Sequence, residues 1–134
     1  MTIYALSSGH GISGVAIIRI SGSMASIAVK SLTSKEMPKP RMATLRKINN
    51  INTSELIDEG IIIWFPGPES YTGEDMAEIH VHGGKAVILA VQEEISKIKN
   101  CRLAEPGEFT KIAFQNGKIN LLKAESIADL ISSE

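Results

Sequence analysis

The sequence predicts an α+β domain, with one mixed or antiparallel sheet and helices packed on it. Three observations carry that expectation. Runs rich in β-branched residues, such as Val15-Ala16-Ile17-Ile18-Arg19-Ile20 and Ile61-Ile62-Ile63-Trp64-Phe65, read as strands. Ile88, Val91, Ile95 and Ile98 recur at helical spacing. Proline and glycine punctuation, in Pro66-Gly67-Pro68, Gly83-Gly84 and Pro106-Gly107, separates the periodic segments.

In chain order, residues 2–7 and 15–20 read as two strands flanking the glycine loop Gly9-His10-Gly11-Ile12-Ser13-Gly14. Residues 24–32 look helical, with Ser21 or Ser23 as cap. Pro38 and Pro40 then enforce an extended connection. Residues 42–48 and 56–65 form a further pair of strands, and residues 77–82 alternate as another. A helix follows over 86–98, with Glu93 and Lys97 as an i,i+4 pair. A short strand lies near Arg102-Leu103, and residues 108–115 are helical. From about Leu121, the positions of Leu122, Ile127, Leu130 and Ile131 predict an amphipathic helix. It runs to Glu134 with no glycine cap, as expected of a piece of something longer.

Composition narrows the class. The chain has 134 residues, 43% hydrophobic and 22% charged, one domain's worth of ordinary globular composition rather than a disordered chain. Its longest apolar run, residues 61–65, is too short to cross a bilayer. Met1-Thr2-Ile3-Tyr4 lacks the build of a signal peptide. The single cysteine, Cys101, excludes an internal disulfide and any multi-cysteine zinc site. Together these predict a cytoplasmic protein without a membrane partner. Charge is uneven: residues 1–50 hold seven Lys/Arg and one carboxylate, whereas residues 51–134 hold seven Lys/Arg and fourteen carboxylates. The expectation is that the two halves pair with each other in the fold. Lys35, Lys39, Arg41, Arg46 and Lys47 are the nearest approach to a basic nucleic-acid patch.

Candidate chemistry is sparse. Gly9 to Gly14 matches G-x-G-x-x-G, but a strand rather than a helix follows, so no helix N-terminus meets a pyrophosphate. The loop is either a flexible hairpin connection or a place where backbone comes close to a ligand. Arg19 interrupts an apolar strand, as a surface residue or as a charge recruited for an anion. Glu78, His80 and His82 share one strand face at period two. A polar face lining a pocket is favoured over a metal site, because no second-strand ligand is evident. A carboxylate in such a pocket can accept two parallel N–H donors from a flat heterocycle. Cys101 reads as a small buried residue rather than a nucleophile, and Lys118 follows a helix end where a cation suits the dipole.

At these residues a resemblance emerges. Gly14-Val15-Ala16-Ile17-Ile18-Arg19-Ile20-Ser21-Gly22, Phe65-Pro66-Gly67-Pro68, Ser70-Tyr71-Thr72-Gly73-Glu74-Asp75, His82-Gly83-Gly84, Pro106-Gly107-Glu108-Phe109-Thr110 and Asn116-Gly117-Lys118 occur in order along the chain. In these motifs it resembles the N-terminal domain of the MnmE/TrmE family of tRNA-modification GTPases. It departs at the first loop, where Ser7-Ser8 stand before Gly9 and His10 replaces the common arginine.

The resemblance implies a fold similar to folate-binding aminomethyltransferase domains over residues 1–120, with residues 121–134 as the first helix of an all-helical domain. It implies a bound tetrahydrofolate derivative, 5-formyl- or 5,10-methylene-tetrahydrofolate, contacted by Arg19, Glu78 and Lys118, with backbone of Gly11 and Gly14 in the lining. It also implies homodimerisation and work with an MnmG-type flavoprotein that adds an aminomethyl-type group to C5 of the tRNA wobble uridine. GTP, potassium and magnesium would serve a GTPase domain whose motifs these residues lack, so the chain is not expected to be catalytic alone. Two rival expectations stand beside this one: a stand-alone folate-dependent one-carbon transferase, and a tRNA-binding module using Lys35 to Lys47.

Overall fold

A computed structural model describes residues 1–7 and 14–120. Strands β1 (Thr2–Leu6) and β2 (Val15–Ser21) come first, then helix α1 (Ala25–Thr33) and strands β3 (Thr44–Asn49), β4 (Leu56–Phe65) and β5 (Met76–His82). Helix α2 (Lys85–Ser96), strand β6 (Cys101–Leu103) and helix α3 (Glu108–Gln115) complete the described elements. The expected elements are all present, their ends moved by a residue or two. The predicted helix from Leu121 lies outside the described residues.

The six strands form one sheet in the order β3-β4-β5-β2-β1-β6. Neighbours are antiparallel except β1 with β6, which run parallel after the α2 crossover. The sheet is therefore mixed, as expected. Alternation decides its faces. Ile18, Ile20, Ile62, Ile79 and Val81 point to one side, where they share a single cluster with Val29 and Leu32 of α1 and Val91 and Ile95 of α2. Both helices cover that face. The opposite side carries Arg19, Glu78 and His80, and is left half-exposed.

Local reasons set several details. Neither Ser21 nor Ser23 caps α1, whose N-cap residue is Met24. Met24 N–H donates to Thr2 Oγ1 at 2.8 Å instead, and Ser21 is fully buried elsewhere. Gly60 is required because a Cβ there would collide with the His80 carbonyl oxygen on the neighbouring strand. Lys97 pairs with Glu94 at 2.7 Å rather than with Glu93. Glu94 is 3% exposed and also accepts the Ile51 N–H at 2.8 Å, which ties α2 to the β3–β4 connection. The Lys97 hydrogen bond holds the Glu94 carboxyl below the usual carboxylate range, opposed by burial and helped by the Ile51 N–H. Among the described residues no helix is long and apolar enough to cross a membrane.

Two outcomes follow. Gly60→Ala is expected to destabilise the chain by about 2–3 kcal/mol, the scale of a forced clash in packed structure, read by urea unfolding. Glu94→Gln is expected to cost about 1–3 kcal/mol at pH 7. A folded pKa below the unfolded one makes this stabilisation complete above the unfolded value of about 4.3 and lost as pH falls through the folded value. The gap between wild type and Glu94→Gln should therefore narrow below about pH 4.

Candidate functional site

The candidate site is built on the face opposite α1 and α2, where β2 meets β5. These strands pair antiparallel with Arg19 opposite Glu78 and Ile17 opposite His80. Arg19 Nη2 donates to Glu78 Oε2 at 3.5 Å, and His80 Nε2 lies 3.0 Å from Glu78 Oε1. The three side chains are 29%, 20% and 23% exposed, so the cluster is wet at its surface and shielded below. The ion pair is long, and half-exposed pairs of this kind contribute little to stability. Each Glu78 oxygen keeps a lone pair for a further donor.

Two aromatic rings flank the arginine. The guanidinium carbon is 5.7 Å from the Tyr71 ring centroid and 5.9 Å from that of Phe109, within reach of cation–π attraction. Neither ring is a site candidate from the sequence alone, because a single aromatic, in a loop or at a helix start, carries no periodic signal. Each is held by its own anchors. Tyr71 belongs to the loop over residues 66–75, which folds back on the sheet through a buried network: Ser21 Oγ and Thr72 Oγ1 are 2.8 Å apart, and Ser21 donates to Glu74 at 2.9 Å. Tyr71 OH lies 3.0 Å from Thr110 Oγ1, which joins the loop to α3. Phe109 sits in the first turn of α3, where Glu108 receives two hydrogen bonds from the Arg102 guanidinium of β6 and one from Glu105 N–H at 2.8 Å. The Arg102 hydrogen bond holds the Glu108 carboxyl below its usual range, against the effect of burial.

The other predicted positions are more scattered. Lys118 Nζ donates to the Pro68 carbonyl at 2.9 Å, on the same loop that carries Tyr71, and Asn116 donates to the Thr72 carbonyl at 2.7 Å. Lys118 thus clamps the site's wall without touching Arg19 or Glu78. Gly14 lies at the far end of β2, beside the Gly83 N–H that donates to its carbonyl at 3.3 Å. It stands five residue steps from Arg19, about 17 Å along an extended strand. A Cβ at Gly14 would meet nothing within 4 Å, so no packing demands glycine there. Gly11 lies outside the described residues.

The Glu78-x-His80-x-His82 pattern divides into two pairs. His82 turns from Glu78 to Asp58, with Nδ1 2.8 Å from Oδ1 and its backbone N–H donating at 2.9 Å. Burial opposes ionisation of Asp58, but the His82 hydrogen bonds, aided by the Glu59 N–H, outweigh it and lower the Asp58 pKa. Among the described residues no group of three His, Cys, Asp or Glu side chains is placed to hold a metal ion. Cys101 is half-buried, and burial pushes its thiol pKa up, the opposite of an activated nucleophile.

A profile of the family described as "GTP-binding protein TrmE N-terminus" matches residues 2–118. The chain belongs to the TrmE N-terminal family. The tRNA modification GTPase MnmE of Pelagibacter ubique (strain HTCC1062) is 75% identical over 134 residues, covering 100% of this chain and 30% of that protein. The MnmE protein of Zymomonas mobilis is 47% identical over 99% of the chain and 31% of its own length. The mitochondrial tRNA modification GTPase gtpbp3 of Dictyostelium discoideum is 49% identical over 98% of the chain and 27% of its own length. This TrmE N-terminal domain therefore spans under a third of the length of these relatives.

The two sets of contacts differ in their energetic role. Thr72→Val removes a buried hydroxyl from the loop network and is expected to cost about 1–3 kcal/mol. Glu78→Gln changes a half-exposed pair and is expected to shift stability by less than about 1 kcal/mol. Parallel urea titrations of the two variants check the contrast.

Proposed function

We propose that this domain binds a tetrahydrofolate derivative on the β2–β5 face, as part of a tRNA-modification GTPase. The observation that carries this reading is the Arg19–Glu78 pair, with its arginine between two aromatic rings, on the sheet face opposite α1 and α2. A pterin ring presents an exocyclic amine and a ring N–H side by side, and Glu78 has the free lone pairs to accept both. Tyr71 and Phe109 offer ring faces on which a flat heterocycle can stack. The folate tail carries carboxylates, which suit Arg19 and Lys118. The family resemblance adds backbone of Gly11 and Gly14 to the residues that would contact the ligand. When bound, the tetrahydrofolate supplies the one-carbon unit; the protein contributes position and charge.

The same reading makes residues 1–120 the folate-binding domain, similar to those of aminomethyltransferases, and residues 121–134 the start of a helical domain. Homodimerisation through this domain is supported by the sheet face opposite α1 and α2, which among the described residues carries Val15, 49% exposed, and half-buried Ile61 and Ile63. The whole protein would act in the cytoplasm with an MnmG-type flavoprotein on C5 of the tRNA wobble uridine. Its GTP, potassium and magnesium would be used outside these residues.

Calorimetric titration with 5-formyltetrahydrofolate tests the site. Saturable binding is expected in the wild type, and Arg19→Ala and Glu78→Ala are each expected to lose at least about tenfold in affinity, the scale of one charge-assisted hydrogen bond. Unchanged affinity in both folded variants would overturn the assignment.

A further inference from the structure

We propose that the outer edge of β3 is a docking site for the phosphate backbone of tRNA, separate from the folate face. The inference rests on the reading that the protein handles tRNA, but not on the folate site. It begins from an expectation that fails. Of the seven basic residues in the first fifty, only Arg19 forms an ion pair among the described residues. The acidic half does not neutralise the basic one. Lys97 and Arg102 of the second half pair with Glu94 and Glu108 of the same half.

Three of the six unneutralised cations are also gathered. Strand β3 is the outermost strand of the sheet, with no strand beyond it among the described residues. Along its edge lies a cavity of about 460 Å³ between the end of α1 and β3. Its lining includes Lys35, Arg46 and Lys47, the hydrogen-bonding side chains of Ser34 and Asn49, and the single carboxylate Glu59. Glu59 stands opposite Lys47 in the β3–β4 register, yet the two are not ion-paired. Arg46 is half-buried. One of its terminal nitrogens donates to the Leu45 carbonyl at 3.1 Å, while its buried Nε has no hydrogen-bond partner.

A buried N–H without a partner costs free energy that a ligand acceptor would recover. A lysine on an edge strand deters edge-to-edge pairing, which accounts for Lys47 alone. It does not account for Lys35 or for the orphaned Arg46 Nε. Three cations against one carboxylate, with neighbouring side-chain hydrogen-bond groups, match successive phosphates of a nucleic-acid strand. No aromatic side chain lines the cavity, so the contact is to backbone phosphate rather than to stacked bases.

The test is binding of an unmodified tRNA transcript to the chain, followed by fluorescence anisotropy from roughly 50 to 200 mM salt. The double variant Lys35→Gln/Lys47→Gln is expected to lose affinity on the order of tenfold at low salt. The slope of log K against log salt should fall by about 0.7–0.9 per lysine removed. Both lysines are exposed, so the fold is retained, and Lys99→Gln with Lys111→Gln serves as a charge-matched control that keeps wild-type binding. Folate affinity of the Lys35/Lys47 variant should match wild type, which keeps this result distinct from failure of the folate reading. Equal tRNA affinity and salt slope in the double variant and the wild type would overturn the proposal, as would an equal loss in the control.

Discussion

The antiparallel pairing of β2 with β5 sets Ile18 opposite Ile79 and Arg19 opposite Glu78. Because strand side chains alternate at period two, that register decides both faces of the sheet together. A slip of one residue would drive Arg19 or Glu78 into the cluster under α1 and α2, and would expose Ile18 or Ile79. Burial of Ile18, Ile20 and Ile79, each fully inaccessible to solvent, holds the register against that cost. The core on one side thus supplies the precision with which charges are placed on the other. Gly60 serves the same end, since the β4 backbone approaches the His80 carbonyl too closely for any side chain.

The uncovered face owes its shape to segments remote in sequence. The loop over residues 66–75 is pinned from below by Ser21 and from the side by Asn116 and Lys118. Asp75 closes the loop on itself by accepting the Gly67 N–H at 2.8 Å. Helix α3 is fastened to β6 through Arg102 and Glu108, and β6 in turn pairs with β1. Tyr71 and Phe109 therefore reach Arg19 from two elements that are anchored to the sheet and to each other. A ligand entering between them meets a pre-built wall rather than a loop that must order on binding, which lowers the entropic cost of association.

Much of this was legible from residue order alone. The strands and helices stand where periodicity and Gly/Pro punctuation put them, because each buries a face with the period of its own backbone. The shared face of Glu78, His80 and His82 was likewise readable from their spacing. What spacing cannot carry is a partner on another element. Arg19 gave two readings until β5 supplied Glu78. His82 looked like a companion of Glu78, yet the sharp approach of Asp58 from β4 captures it. Sequence neighbours offer Ser21 or Ser23 as a helix cap, whereas the Ser21 hydroxyl is drawn to a loop some fifty residues away. The charge asymmetry suggests mutual neutralisation, but among the described residues only Arg19 of the basic half is ion-paired, and Lys47 stands opposite Glu59 without pairing to it.

The central claim is that the β2–β5 face, walled by Tyr71 and Phe109, is where the folate sits. Amide hydrogen exchange of the chain with and without 5-formyltetrahydrofolate tests it most directly. The account predicts slowed exchange around Arg19, around Glu78 and across residues 66–75 when the ligand is present, with α1 and the β3 edge unchanged. Slowed exchange confined to α1, α2 or β3, with β2, β5 and the loop unaltered, would contradict it.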